Sequence, residues 1–186
     1  HMVKMAEADE IVPPGTKYVL HSDADCIFKM TTTPEHYFWN DKPYYLIRSW
    51  GSLGVIDSRH PISKAVSDCG QWKPATDKQL GWDTEWYTMC MNTAVLPIDF
   101  YKSYRVHISQ AHRKPFEEYM LSGRNEFPQD RMDWTAMGAF AHKFMREHFT
   151  WFDVENSPYP EDRKRAWWSH SGLQPHEREE IEKMLA

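Results

Sequence analysis

Apolar positions along this 186-residue chain recur at helical spacing in some stretches and as short continuous runs in others, and the alternation between the two lays out its elements. Val3, Met5, Ala6 and Ile11 share one side of a predicted helix that Pro13-Pro14-Gly15 ends. Lys17–Ser22 then reads as a buried strand. Thr31 to Lys42 is polar and irregular, and Pro34 favours a loop. Tyr44–Trp50, rich in aromatic and branched residues, predicts a second strand broken by Gly51 and Gly54. Pro61 to Ser67 predicts a short helix and Gly70 to Gly81 a loop, after which Thr84 is placed to cap a helix from Glu85 to Cys90. Thr93–Leu96 predicts a short strand closed by Pro97. Asp99 to His112 predicts an amphipathic helix with Tyr101, Tyr104, Ile108 and Ala111 on one side. A short helix from Pro115 to Leu121, a polar loop and a strong helix from Trp134 to Glu147 follow. Phe149–Val154 and Ala166–Ser169 are strand candidates on either side of a proline-containing loop. Pro175 opens a charged terminal helix to Leu185.

The predicted class is α/β in a single domain spanning residues 1–186, without the clean alternation of a complete doubly wound sheet. Aromatic residues make up 15% of the chain, nine each of Trp, Tyr and Phe, so rings are available to fill a core or to meet sugars and bases. The formal charge of −5, with acids and bases interspersed, leaves no basic stripe of the kind that binds duplex DNA or anionic membranes. Cys26, Cys69 and Cys90 have neither the number nor the spacing of a disulfide framework or a structural zinc site, and a reducing cytoplasm is the expected compartment. No apolar run approaches the ~18 residues of a membrane span.

The most telling chemistry lies in Tyr18-Val-Leu-His-Ser-Asp-Ala-Asp-Cys-Ile-Phe28. An apolar run ends in Asp23 and Asp25, and side chains two apart on a strand point the same way. Two carboxylates leaving a strand end together can hold a hard divalent cation that also grips phosphate oxygens, where open α/β sheets bind their ligands. The competing assignment is a strand-end turn, which aspartate also favours.

Four segments in order resemble GT-A-type glycosyltransferases, in particular short, aromatic-rich bacterial and phage relatives. They are Lys4-Met5-Ala6 on a helix leading into the Asp23-Ala-Asp25 strand, Met91-Asn92-Thr-Ala-Val-Leu-Pro97, Asp133-Trp134-Thr-Ala-Met-Gly138-Ala-Phe, and Trp167-Trp168-Ser169-His170-Ser-Gly172-Leu. The resemblance implies a GT-A-like, Rossmann-like mixed sheet flanked by helices. It also implies that Asp23 and Asp25 bind Mn²⁺ or Mg²⁺ on a donor diphosphate, with His170 completing the metal shell. About twenty residues precede the Asp pair here. The strands that would hold the nucleotide base are therefore expected to be reduced, absent, or supplied by another part of a larger fold or by a partner chain.

Asp133, just ahead of a long helix, suits an N-cap, and the same position can aim a carboxylate at an acceptor hydroxyl as a base. Glu126 and Asp130 are alternatives. Trp82, between Gly81 and Asp83, is a candidate sugar-stacking ring or the lid of a core, and Trp134, Trp167 and Trp168 share that ambiguity. Asn92 can contact donor or acceptor hydroxyls. Arg59-His60 and His112-Arg113-Lys114 can meet phosphate or simply solvent. The expected function is transfer of a sugar from a nucleoside-diphosphate donor, with UDP-sugar the commonest in the family, to a hydroxyl on a glycan, lipid-linked glycan, protein or modified DNA. The alternatives are a non-catalytic sugar- or partner-binding module, and a metal-dependent phosphoester hydrolase, whose tight His-x-His-x-Asp spacing the chain does not show. A homo-oligomer or partner chain is expected if the sheet edge is incomplete.

Overall fold

In the computed structural model, which describes residues 2–22, 26–28, 32–54, 70–90, 93–124, 130–132, 134–160, 164–166 and 175–185, the organising strand is β4 (Lys42–Ser49). Pro43, Tyr44, Tyr45, Leu46 and Ile47 are buried in succession, the pattern of a strand covered on both faces. β3 (Phe38–Trp39) joins it antiparallel through a tight turn at Asn40 and Asp41, both at positive φ (51° and 62°), which suits the right-handed twist of a hairpin. β5 (Trp86–Tyr87) pairs antiparallel with its far end, and β7 (Thr150–Asp153) runs parallel along Tyr44–Ile47. β1 (Tyr18–Ser22) and β6 (Thr93–Pro97) form a separate antiparallel pair, with β6 lying against β4. A third pair joins β2 (Cys26–Phe28) to β8 (Lys164–Ala166). The architecture is mixed α/β, mainly antiparallel, with flanking helices.

The helices are α1 (Met2–Ala6), α2 (Ala8–Ile11), α3 (Lys73–Leu80), α4 (Ile98–His112), α5 (Phe116–Leu121), α6 (Trp134–Phe144) and α7 (Pro175–Leu185). α4 carries the core. Phe100, Tyr101, Tyr104 and Ile108 are at most 1% exposed, each stabilising the fold by about 1.5–3 kcal/mol through burial. Phe100 stacks on Tyr104 at 5.6 Å, and both meet Phe140 of α6 edge-on. α4 ends where Arg113 turns left-handed (φ 52°) and its amide reaches the Ser109 carbonyl. Every residue of α6 from Trp134 to Ala141 is buried, as expected of a helix running through the core. No helix among the described residues is long and apolar enough to cross a membrane.

Several expectations change. β1 is half-exposed rather than buried: Tyr18 and Leu20 face outward at 40% and 45%, while Val19 and His21 face in. Among the described residues it has one strand partner and one covered face. Residues 70–81 form α3 after a 3-10 turn, not a loop. Its buried side is carried by Thr76, Gln79 and Leu80, so a polar composition hides an inward face. Residues 86–87 are strand, not helix, because aromatic side chains suit a pleated surface and β4 offers Arg48 and Ser49 as partners. Thr84 caps no helix; its hydroxyl and amide both donate to Asp77 Oδ1, at 2.5 and 2.8 Å. Pro34–Tyr37 is a 3-10 turn where a loop was expected, and Ala111 is exposed at the end of α4. The helix expected over 61–67 lies outside the described residues.

Candidate functional site

Asp23, Asp25, Asn92, Asp133 and His170 lie outside the described residues, as do Arg59, His60, Glu126, Trp167 and Trp168. Their described neighbours meet. Ser22, at the end of β1, is paired with Thr93, at the start of β6. Cys26 pairs with Ala166, the last residue of β8. The His21 ring stands edge-on to Trp134, the first residue of α6, with centroids 6.1 Å apart.

His21 is the inward residue of β1 nearest this end. A 2.6 Å hydrogen bond joins its Nε2 to the Tyr101 hydroxyl. Burial pulls the imidazole down to about 4, so it is neutral at physiological pH. Burial also pushes the Tyr101 and Tyr45 phenols up, and Tyr101 is raised further by Tyr45 and Asp9. The Tyr45 hydroxyl is buried with no hydrogen-bond partner among the described residues. A neutral, protonated polar cluster thus backs the β1 end.

The approach to α6 is held from two sides. Gln79, fully buried on α3, donates to the Met132 carbonyl and the Tyr104 hydroxyl, both at 2.7 Å, and accepts from the Met132 amide at 2.7 Å. Both of its donor hydrogens are used, and its oxygen accepts once. Arg131 donates to the Tyr119 and Asp130 carbonyls at 3.0 and 2.8 Å, and its guanidinium lies 3.8 Å from the centre of the Tyr119 ring. His112 stacks on the same ring at 3.7 Å and donates to the Gln79 carbonyl at 2.8 Å, while Lys114 pairs with Glu118. The His112-Arg113-Lys114 run is thereby engaged in capping and packing. Asp130 is bound by Arg124 at 3.0 Å, which holds its carboxyl below the usual carboxylate range and makes it a poor proton acceptor.

Trp82 belongs to another place. Gly81, at φ +81°, ends α3 in the left-handed conformation that glycine adopts without strain, and the chain turns there to present Trp82. The Lys143 ammonium sits over the indole, 4.0 Å from a ring centroid, and His107 and Phe144 meet the indole edge-on at 5.1 and 5.5 Å. Beside it opens a groove of about 340 Å³ lined by Trp82, Glu85, Trp86, His142, Lys143 and Arg146 among others. Lys143 lies about 13 Å along α6 from Trp134 at the ordinary helical rise, so this groove is at the opposite end of the helix from His21. Burial and the nearby Arg146 draw the His142 imidazole down, Glu85 opposes them, and its Nε2 is buried without a partner among the described residues.

Comparison with protein-family models, curated proteins and solved structures gives no match for this chain. Among the described residues, no three His, Cys, Asp or Glu side chains are grouped to hold a metal ion. Sequence reasoning missed His21, Gln79 and His142. His21 was open to discovery, two residues before Asp23 on the same strand. Gln79 and His142 gave no signal, because their roles depend on partners tens of residues away.

Proposed function

We propose that this chain is a metal-dependent glycosyltransferase of GT-A type that moves a sugar from a nucleoside-diphosphate donor to a hydroxyl acceptor. The observation that carries this reading is the meeting of chain neighbours: Ser22 with Thr93, Cys26 with Ala166, and His21 with Trp134. Ser22, Thr93 and Trp134, each next to a residue singled out for this chemistry, lie at one end of the β1–β6 pair, while Cys26 and Ala166 pair with each other. Two carboxylates and an imidazole form a donor set suited to Mn²⁺, so Asp23, Asp25 and His170 would hold that ion or Mg²⁺. When bound, it supplies charge stabilisation at the departing diphosphate. Asp133 would orient or deprotonate the acceptor hydroxyl, Asn92 would contact sugar hydroxyls, and the neutral His21–Tyr101 pair would keep positive charge away from the metal ligands. A donor UDP-sugar, the acceptor and any partner chain belong to this proposal.

A second reading, a sugar- or partner-binding module without transfer, draws on the antiparallel pairing of β1 with β6. Nucleotide sites of open α/β sheets sit at the ends of parallel strands. Calorimetric titration of UDP with and without Mn²⁺, on the native chain and on Asp25→Ala, separates the two. The transferase reading expects manganese-dependent binding that Asp25→Ala loses at least tenfold. Absence of UDP binding under both conditions would sink it.

A further inference from the structure

We propose that the groove between β5 and α6 is a carbohydrate subsite that holds an uncharged stretch of glycan through Glu85, Trp86 and Arg146. Describing that glycan as the acceptor rests on the transferase reading; the binding itself does not.

A sugar hydroxyl donates one hydrogen bond while accepting others, so a site for it must offer both kinds of partner. This groove does. The Glu85 carboxylate only accepts, and the Lys143 and Arg146 side chains only donate. The side chains of Glu85 and Arg146 are exposed and form neither an ion pair nor a hydrogen bond among the described residues. They are spare capacity at a concave surface rather than parts of the folding machinery.

One indole supplies the apolar face on which the C–H face of a pyranose rests, and the other walls the groove. Trp82 has the Lys143 ammonium over its ring and forms a fixed wall. Trp86, partly exposed in β5 and 6.1 Å from the His142 ring, is the platform. At about 340 Å³ the groove falls in the range of small-molecule sites.

An anion fits this groove less well. Lys143 and Arg146 stand at the carboxyl end of α6, where the helix dipole is negative and already favours cations. Asp83 and Glu85 put carboxylates on the same rim, although Asp83 is matched by Lys73. The favourable field for a phosphate is therefore largely cancelled, whereas a neutral polyhydroxyl ligand uses both signs.

The test is metal-free and nucleotide-free binding of chitotetraose, cellotetraose and maltotetraose, followed by tryptophan fluorescence and saturation-transfer NMR. Inorganic phosphate and glucuronate serve as anionic probes. At least one neutral tetrasaccharide should bind saturably to the native chain. Its affinity should fall tenfold or more in Glu85→Gln and in Arg146→Gln, exposed substitutions that leave the core untouched, and binding should be lost in Trp86→Ala. If no tetrasaccharide binds, if phosphate binds in their place, or if Glu85→Gln and Arg146→Gln bind as the native chain does, the proposal is overturned. Saccharide binding without manganese-dependent UDP binding would keep the groove and remove the transferase reading. The reverse outcome would remove the groove alone.

Discussion

Gln79 shows how much one polar side chain can organise. Its three 2.7 Å hydrogen bonds tie α3 to the Tyr104 hydroxyl and to both backbone groups of Met132, two residues before α6 begins. Gln79→Ala removes all three inside a dry core and strands the Met132 amide and carbonyl. The expected loss is about 3 kcal/mol, since buried polar groups left without partners cost 1–3 kcal/mol each and the truncation also opens a cavity. For a chain of this size that is a fall in Tm of roughly 6–12 °C, which calorimetry or circular dichroism would register. A change under 2 °C would mean that Met132 is held by other means. His21 is the second decisive residue. It separates the exposed Tyr18 and Leu20 face of β1 from the buried Tyr101 and Tyr45 hydroxyls, and it fits there because it is uncharged.

Among elements, the contact between α6 and the segment after β5 leaves no room for a side chain at Gly138. A Cβ built on Gly138 would lie 2.3 Å from Thr88 Oγ1 and 2.6 Å from its Cβ. The Thr88 hydroxyl is itself fixed by a 3.1 Å bond to the Thr135 carbonyl. In an open helix, replacing glycine by alanine stabilises by about 1 kcal/mol. Here the steric conflict outweighs that gain, and Gly138→Ala should destabilise by about 1–3 kcal/mol in urea unfolding. Thr88→Gly in the same chain should recover part of the loss, because the two positions share one contact. Additive losses would place the strain elsewhere. The same packing sets the floor of the Trp86 groove, since Ala139 and His142 line it from the next turns of α6.

At the scale of the whole molecule, partly buried histidines make stability depend on pH. The folded His21 titrates near 4, below the ordinary histidine value of 6.5, and His142 is shifted in the same direction. A group whose folded value is depressed binds more protons when unfolded, so its stabilising effect is complete above 6.5 and is lost as pH falls from 6.5 to 4. For His21 the upper bound is about 3 kcal/mol. Urea unfolding at pH 7, 5 and 4 should show a steep loss for the native chain and a shallower one for His21→Gln, which cannot titrate. Parallel profiles would show that His21 is not the source.

The long periodic segments were legible in the amino-acid order. β4, α4, α6 and α7 were predicted within a few residues, because the aromatic and branched run of β4, the helical spacing of α4 and Pro175 at the head of α7 are signals carried by neighbouring residues. The Asp23-Ala-Asp25 pair is a motif of the sequence alone and lies outside the described residues. Residues 73–80 and 86–87 were misread because their inward faces are Thr, Gln and a pair of aromatics, whose states follow from Tyr104, Met132 and β4 rather than from their neighbours in the chain. The half-exposed face of β1, the neutral His21–Tyr101 pair and the groove around Trp86 belong wholly to the folded form. Each is built from residues that only long-range packing brings into contact, and no local pattern encodes such a meeting.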